Sequence, residues 1–345
     1  MPCRPVSLAA MLSMGTLACA TEPDKAPSTT ETGDAGPSTF RVVFIADTHV
    51  IGPQYTCCSE SDGIDNDSIM KTPDRLAAVR DAVNALEPQP DLVFVLGDVM
   101  HDSHVFETEA EYSADETGWS RAADLFDGFA APVHLVWGNH DYEVSCDPNR
   151  HQFAASFTHA LFDRFFAAPP TDVIDHKGWR FILANSQLGP TWEPGHPLCN
   201  TGQASYGREQ LAWIDGLLDD GMPSMVMAHY YMAVTARSED PDGPFPGLLD
   251  VLAAHDNMQL FLAGHMHRWI DGREGGDFPQ VVLGATRYDT DNFWLFEFDE
   301  GGDTYRIIDE DKPRWYTTCA DTWQYDPPPG VDATAVEDGD CSFQR

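Results

Sequence analysis

Apolar residues in this chain gather in short, nearly unbroken runs, and most of these runs stop on Gly, Asp, Asn or His. The runs cover residues 41–46, 91–96, 133–137, 179–184, 224–228 and 260–263. Their continuity predicts strands buried on both faces, because a half-exposed strand alternates apolar with polar residues. Between the runs lie segments of helical period. Thr72-Pro73 stand in the order expected of an N-cap and first turn, and Leu76, Val79, Val83 and Leu86 follow on one face. Further helices are predicted over 116–130, along the stripe Phe153, Phe157, Leu161, Phe165, over 207–219 and over 248–254. The aromatic stripe reads as core, with His151 and His159 on the exposed side of the same helix. Three more strands, 281–283, 293–298 and 305–308, are expected to close a second sheet. The mixture of strands and helices places the chain in the α/β (α+β) class.

The residues that stop the strands are poor strand formers but good metal ligands and proton carriers. Run 133–137 ends on Gly138-Asn139-His140-Asp141. There Asn139 offers a neutral carbonyl oxygen, His140 an imidazole that titrates near neutrality, and Asp141 a carboxylate able to orient that imidazole. Gly, Asn and Asp also dominate ordinary turns, so this motif by itself decides nothing. Run 41–46 ends on Asp47-Thr48-His49, where residues two apart share a direction if the strand end stays extended. Run 91–96 ends on Gly97-Asp98, a carboxylate with two oxygens to share between ions. Run 224–228 ends on His229, and run 260–263 on Gly264-His265-Met266-His267. Open α/β sheets place their sites beyond the carboxyl ends of strands. Asp47, His49, Asp98, Asn139, His229, His265 and His267 are therefore expected along one edge of the sheet core. Such a set, all oxygen and nitrogen, exceeds the needs of one ion. With one carboxylate shared it suits two divalent or trivalent transition-metal ions (Mn, Fe or Zn) about 3.5–4 Å apart. His101, Asp102 and His104 lack strand-end placement and read as loop or supporting groups. Arg268 and Arg287 are candidates for contacting a phosphate.

Taken in order, these motifs resemble those of the calcineurin-like metallophosphoesterase family, over about residues 40–308. The family's Asp-x-His is matched by Asp47-Thr48-His49, its Gly-Asp by Gly97-Asp98, and its Gly-Asn-His-Asp/Glu by residues 138–141. Its isolated His is matched by His229, after a helix-like segment over 207–218, and its Gly-His-x-His by residues 264–267. The resemblance implies two packed mixed β-sheets flanked by helices, an αββα sandwich, with a dinuclear metal site at the strand C-terminal ends. It implies one ion on Asp47, His49, Asp98 and His267, the other on Asp98, Asn139, His229 and His265, and Asp98 bridging. Purple acid phosphatases of this family carry a Tyr ligand three residues past that Asp; here the position is His101, which argues against the Tyr-bound ferric variant. Many members follow the isolated His with a second His, where this chain has Tyr230 and Tyr231. The implied activity is hydrolysis of phosphomonoesters or phosphodiesters. Paired cations neutralise the phosphoryl oxygens and acidify the water between them, the resulting hydroxide attacks phosphorus, and His140 protonates the leaving group. A non-catalytic binding protein on the same fold and a metal-dependent nuclease are the alternatives.

Composition narrows the partners. Across 345 residues, 20 basic and 56 acidic side chains give a formal charge of -36. A surface this acidic repels nucleic-acid backbones and anionic membranes, so no nucleic acid is expected and the nuclease reading is disfavoured. The expected substrate is a small or lipid-borne phosphate ester, reached because the ions' local charge outweighs a distant field screened within about 8–10 Å.

Residues 1–20 read as an export signal, with Arg4 ahead of an apolar run over 6–18 that is too short to span a bilayer. Ala18-Cys19-Ala20 fits cleavage before Thr21, while residues 16–19 resemble a lipobox that would lipidate Cys19. Residues 21–39 form a polar spacer, 40–318 the metallophosphoesterase domain, and 319–345 a Pro-rich tail. An exported protein is expected, periplasmic, extracellular or held at the outer surface through that lipid, its one contact with a membrane. Six Cys remain beyond the leader (57, 58, 146, 199, 319 and 341). That even number points to disulfides with 15 conceivable pairings, Cys319 and Cys341 being expected to pin the tail. The acidic run 62–67 fails the EF-hand pattern, because Ile69 stands where an oxygen ligand is needed, and reads as a solvated loop.

Overall fold

The structure, a computed structural model, describes residues 38–56, 68–101, 104–236, 239, 246–272, 278–290, 292–308, 332–333 and 343–344. The leader, nearly all of the spacer, Cys57, Cys58, the acidic run 62–67, Asp102, Cys319 and Cys341 lie outside the described residues.

Two sheets form the centre. The first contains β1 (Thr39–Ile45), β2 (Leu92–Leu96), β3 (Val133–Val136), β10 (Phe293–Asp299) and β11 (Tyr305–Ile307), in the order β11-β10-β1-β2-β3. The second contains β4 (Asp172–His176), β5 (Trp179–Leu183), β6 (Ser224–Met227), β7 (Met258–Ala263), β8 (Ile270–Gly272) and β9 (Gln280–Val282), in the order β4-β5-β6-β7-β9-β8. In both, the predicted buried runs pair in parallel; antiparallel strands flank them on one side in the first sheet and on both sides in the second. β12 (Asp332–Ala333) and β13 (Phe343–Gln344) form a separate two-stranded sheet.

The period of two along each strand sorts its residues into two layers. Val42, Phe44, Ala46, Phe94, Leu96, Phe181, Met225, Met227, Leu260 and Leu262 meet in one apolar cluster between the sheets. Their sequence neighbours Val43, Ile45, Val93, Val95, Ile182, Val226 and Phe261 pack on the opposite faces against helices. Those helices are α1 (Thr72–Asn84), α2 (Gly118–Asp127), α3 (Ala155–Phe166), α4 (Arg208–Leu218) and α5 (Leu248–Leu252). Leu76 and Val79 of α1, Trp119 of α2, Phe162 of α3 and Leu211 and Ile214 of α4 supply the apolar faces. Two mixed sheets flanked by helices, the expected αββα arrangement, are the result. No helix among the described residues is long and apolar enough to cross a membrane.

Several expectations need correction. Strands 293–298 and 305–308 join the first sheet, not the second: β10 lies antiparallel on β1, with Phe293 opposite Ile45 and Phe298 opposite Phe40. Stacking of Phe298 on Phe40 (5.1 Å) and an edge contact of Phe296 with Phe44 (4.9 Å) secure that choice, a long-range one that no local pattern carries. β4 is too polar to read as a strand, yet it pairs with β5 through a two-residue turn, Lys177-Gly178, both at positive φ. Thr72 is the first residue of α1 rather than its cap, and its hydroxyl donates to the carbonyls of His49 and Ile69. His151 precedes α3. His159 is half-buried against Trp137 and bonds the Tyr142 hydroxyl, so it is not a surface residue.

Candidate metal centre

The motif residues leave their strands at one edge of the two sheets and converge there. Asp47, His49, Asp98, His229 and His267 are buried, while Asn139 and His265 are half-buried. Three groups of donor atoms form: His49, His101 and His140 bring ring nitrogens together, and two further groups share Asp98. Asp47, His49, Asp98 and His267 bring one ligand atom each to within 4.8 Å of one another, and so do Asp98, His229 and His265. Asn139 joins the latter group, its Oδ1 lying 3.0 Å from His229 Nε2 and 2.9 Å from His265 Nδ1. Asp98 stands between these two groups, Oδ2 3.5 Å from His49 Nε2 and 3.2 Å from His229 Nε2.

The backbone needed for this convergence is unusual. Asp47, His49, Asp98, His265 and His267 all have positive φ, between 45° and 71°, and they make up five of the seven such non-glycine residues described. L-residues pay about 1–2 kcal/mol for this conformation, which persists where surrounding structure over-determines it. Asp47 and His49 therefore converge through left-handed backbone rather than as the extended strand end expected from their spacing. His267 serves one of the two groups that share Asp98 and His265 the other.

Close approach of the loops requires glycine at two points. Gly97 has φ +84°, and a Cβ on it would lie 2.4 Å from His229 Nδ1. A Cβ on Gly138 would lie 2.1 Å from the Asp98 backbone nitrogen. The loops are then laced by carboxylates. Asp47 accepts the His265 amide (2.9 and 3.1 Å), and Asp98 Oδ1 accepts the His140 amide (2.8 Å). Asp141 accepts the amides of Gly138 (2.7 Å), Met100 (2.8 Å) and Val99 (3.3 Å). Asp141 thus fixes the loop that carries His140.

Electrostatics follow from packing many titratable groups away from water. Burial lowers His229, but the Asp98 and Asp47 carboxylates overcome it and hold the imidazole up at about 9. Burial would raise Asp98, yet the charges of His229 and His140 keep it well below the usual carboxylate range. Burial and the neighbouring imidazoles lower His265 and His101 to about 3. The same causes lower His49, with Arg287 adding to them. Asp141, buried beside Asp98, is pushed up to about 7. Imidazoles, a carbonyl oxygen and carboxylates, with no sulfur among them, are the donor set that a pair of Mn, Fe or Zn ions takes.

His140 is exposed at the open side of the cluster, its ring stacked on His101 (4.9 Å, 22°) and edge-on to His49 (4.9 Å). A groove of about 210 Å³ adjoins it, lined by Asn139, His140, Tyr142, Glu143, Val144, Trp192 and Thr201. Trp192 and Thr201 come from the Pro/Gly-rich excursion 189–202, which a disulfide between Cys146 and Cys199 ties to the chain beyond Asp141. Tyr230, in place of a second His, lies 4.1 Å from the His265 ring and donates its hydroxyl to Thr201 O. A larger cavity of about 630 Å³ lies elsewhere, lined by residues such as Pro132, Val133 and Arg164, and contains none of the donor residues.

Of the remaining candidates, His104 bonds Thr158 Oγ1 and stacks on Phe153, a packing role. Arg287 is buried, its guanidinium within 3.2 Å of Ser68 Oγ and over the Tyr288 ring. Tyr142, Glu143, Val144 and Thr201 carry no local signal that would have marked them, since only tertiary packing brings them to His140.

Comparison with known proteins agrees with this geometry. The profile described as calcineurin-like phosphoesterase matches residues 40–269. A Synechococcus protein named "probable cyclic nucleotide phosphodiesterase" is 27% identical over 214 residues, 60% of this chain and 69% of that protein. Metallophosphoesterase 1 of Ailuropoda melanoleuca is 27% identical over 290 residues, 74% of this chain and 67% of that protein. A dimetal phosphatase from Danio rerio superposes with a TM-score of 0.50 at 17% identity, over 76% of this chain and 93% of that one, and so shares the fold.

Proposed function

This chain belongs to the calcineurin-like phosphoesterase family, and we propose that it is a phosphoric ester hydrolase that works with two transition-metal ions. The observation that carries this reading is the pair of donor groups sharing Asp98. Asp47, His49, Asp98 and His267 would hold one ion, and Asp98, Asn139, His229 and His265 the other. When bound, the ions supply positive charge to phosphoryl oxygens and make a water acidic enough to serve as nucleophile near neutral pH.

The chain's own residues do the rest. Burial of the donors keeps bulk water away from the charged centre, which strengthens every electrostatic contact within it. His140 stands at the open side, where it can give a proton to the leaving-group oxygen. The groove beyond His140 takes the leaving group. At about 210 Å³ it is smaller than sites for drug-sized ligands, about 300–1,000 Å³, and favours a small alcohol or the near part of a larger one. The Synechococcus relative's name supports including cyclic nucleotides among the substrates tested. An exported location is supported by the leader, the polar spacer and the Cys146–Cys199 disulfide, a bond rare in reducing compartments.

Elemental analysis of protein purified without chelator should find about two transition-metal ions per chain. A panel of phosphomonoesters, cyclic nucleotides and phosphodiesters should then reveal a metal-dependent hydrolysis. Absence of bound metal after incubation with manganese, iron or zinc salts overturns the reading.

A further inference from the structure

His101 lies three residues past Asp98 and outside the proposed ligand set, yet it touches two of the side chains on which the site depends. Its Nδ1 is 3.1 Å from Nδ1 of the buried His49, and its ring is stacked on that of His140. The other nitrogen of His49, Nε2, faces the donor group, 3.0 Å from His267 Nε2 and 3.5 Å from Asp98 Oδ2. A neutral imidazole carries one N–H. If Nε2 is to offer a lone pair to an ion, the proton must sit on Nδ1 and must be donated from there. The atom in front of it is His101 Nδ1.

His229 meets the same requirement in another way. Its Nδ1 faces the carbonyl oxygen of Leu96 at 2.9 Å, which leaves Nε2 pointing at Asp98 and Asn139. A backbone carbonyl can only accept, so that tautomer is settled by the fold. Among the described residues no such carbonyl is bonded to His49 Nδ1; a side chain takes its place.

We propose that His101 is a positioning residue which accepts the Nδ1–H of His49 and so locks His49 in the tautomer that presents a bare Nε2 to an ion. This rests on the two-ion reading and extends it to a residue outside the ligand set. Without the acceptor, the His49 proton is stabilised on Nε2 instead, donated towards His267 or Asp98. An ion must then displace it and leave a buried N–H unbonded. Partners that hold a ligating imidazole in this way contribute about 10–100-fold to metal affinity. Because His49 belongs to only one of the two donor groups that share Asp98, the loss should fall on one ion of the two.

Two substitutions separate the hydrogen bond from the bulk of the ring. His101→Phe keeps a ring to stack on His140 but removes the acceptor, whereas His101→Asn places a carbonyl oxygen near the former Nδ1. Full-length protein is loaded with zinc, dialysed against a graded series of chelator buffers, and the ions retained per chain are counted. The expected result is two ions held with similar affinity by wild type and His101→Asn. In His101→Phe one ion is held as in wild type and the other about 10–100-fold more weakly. Equal retention of both ions by His101→Phe overturns the proposal, and so does equal weakening of both ions in both variants. A third ion in wild type that His101→Phe loses also overturns it, since His101 would then be a ligand. Wild-type protein that holds no ion is a different failure, that of the two-ion reading itself. Should His101→Phe not fold, His101→Ala against His101→Asn makes the same comparison with the same expected order.

Discussion

Replacing Gly138 with alanine puts one methyl group into the gap between the 138–141 loop and Asp98. An ideal Cβ there lies 2.1 Å from the Asp98 backbone nitrogen, 2.3 Å from Oδ1 and 2.9 Å from Cα. Contacts of a Cβ closer than 3.0 Å are essentially never seen, so the loop and Asp98 must part by at least 0.9 Å, the difference 3.0 − 2.1. Gly138 has φ −115°, which alanine adopts freely, so the whole cost is steric. Parting stretches the bond from the His140 amide to Asp98 and the bond from Met100 to Asp141, both 2.8 Å. Overpacking costs about 1–3 kcal/mol, and losing a hydrogen bond to a carboxylate adds about 1.5–3 kcal/mol. A combined loss of about 3–5 kcal/mol should lower the melting midpoint by roughly 5–15 °C. Misplacing the shared carboxylate by about 1 Å should cost on the order of 10²-fold in turnover. Thermal melts and nitrophenyl phosphate kinetics measure both. Gly195→Ala is the control: φ is +83° there but nothing lies within 4 Å, so only backbone strain of about 1–2 kcal/mol is expected and turnover should hold. Wild-type melting and turnover in Gly138→Ala would refute the packing described for this loop.

Other perturbations separate the roles of neighbouring groups. His140→Ala should keep both ions yet lose about 10²–10⁴-fold on alkyl phosphate esters, and less on nitrophenyl esters that need little protonation; an unchanged rate on the alkyl ester excludes His140 as the acid. In the metal-free protein His229 is held up at about 9, so below that pH an ion must displace its proton. Metal affinity should therefore climb as pH rises towards 9, with proton release visible by calorimetry in buffers of different ionisation heat; uptake without proton release at pH 7 contradicts this. Replacing Cys146 and Cys199 with serine should cost roughly 2–4 kcal/mol of stability and leave metal content intact, because the bond ties the groove and not the donors. Loss of metal in that variant would show that the excursion supports the donor cluster itself.

How much the chain reveals by itself depends on the range of the interaction concerned. Burial on both faces leaves a continuous apolar run, and the end of that run is where a side chain can leave the sheet. Asp47, His49, Asp98, Asn139, His140, His229, His265 and His267 were therefore legible, each following directly on such a run or within a few residues of its end. Helices α1 to α5 were legible for a similar reason, since their faces repeat within a few residues. What sequence could not carry was the partner of each element. β10 joins the first sheet because Phe296 and Phe298 meet Phe44 and Phe40, about 250 residues earlier in the chain. His265 and His267, two residues apart, part company because left-handed backbone turns each towards a different set of distant donors. Asp141 laces the backbone amides of Gly138 and Met100, and the Tyr142, Trp192 and Thr201 walls of the groove meet only through packing and a disulfide spanning 53 residues. His101 looked like a loop residue until the fold set its Nδ1 against that of His49. Local sequence determines which residues can stand at the edge of a sheet; which of them face one another is decided by contacts whose partners are far apart along the chain, where no periodicity records them.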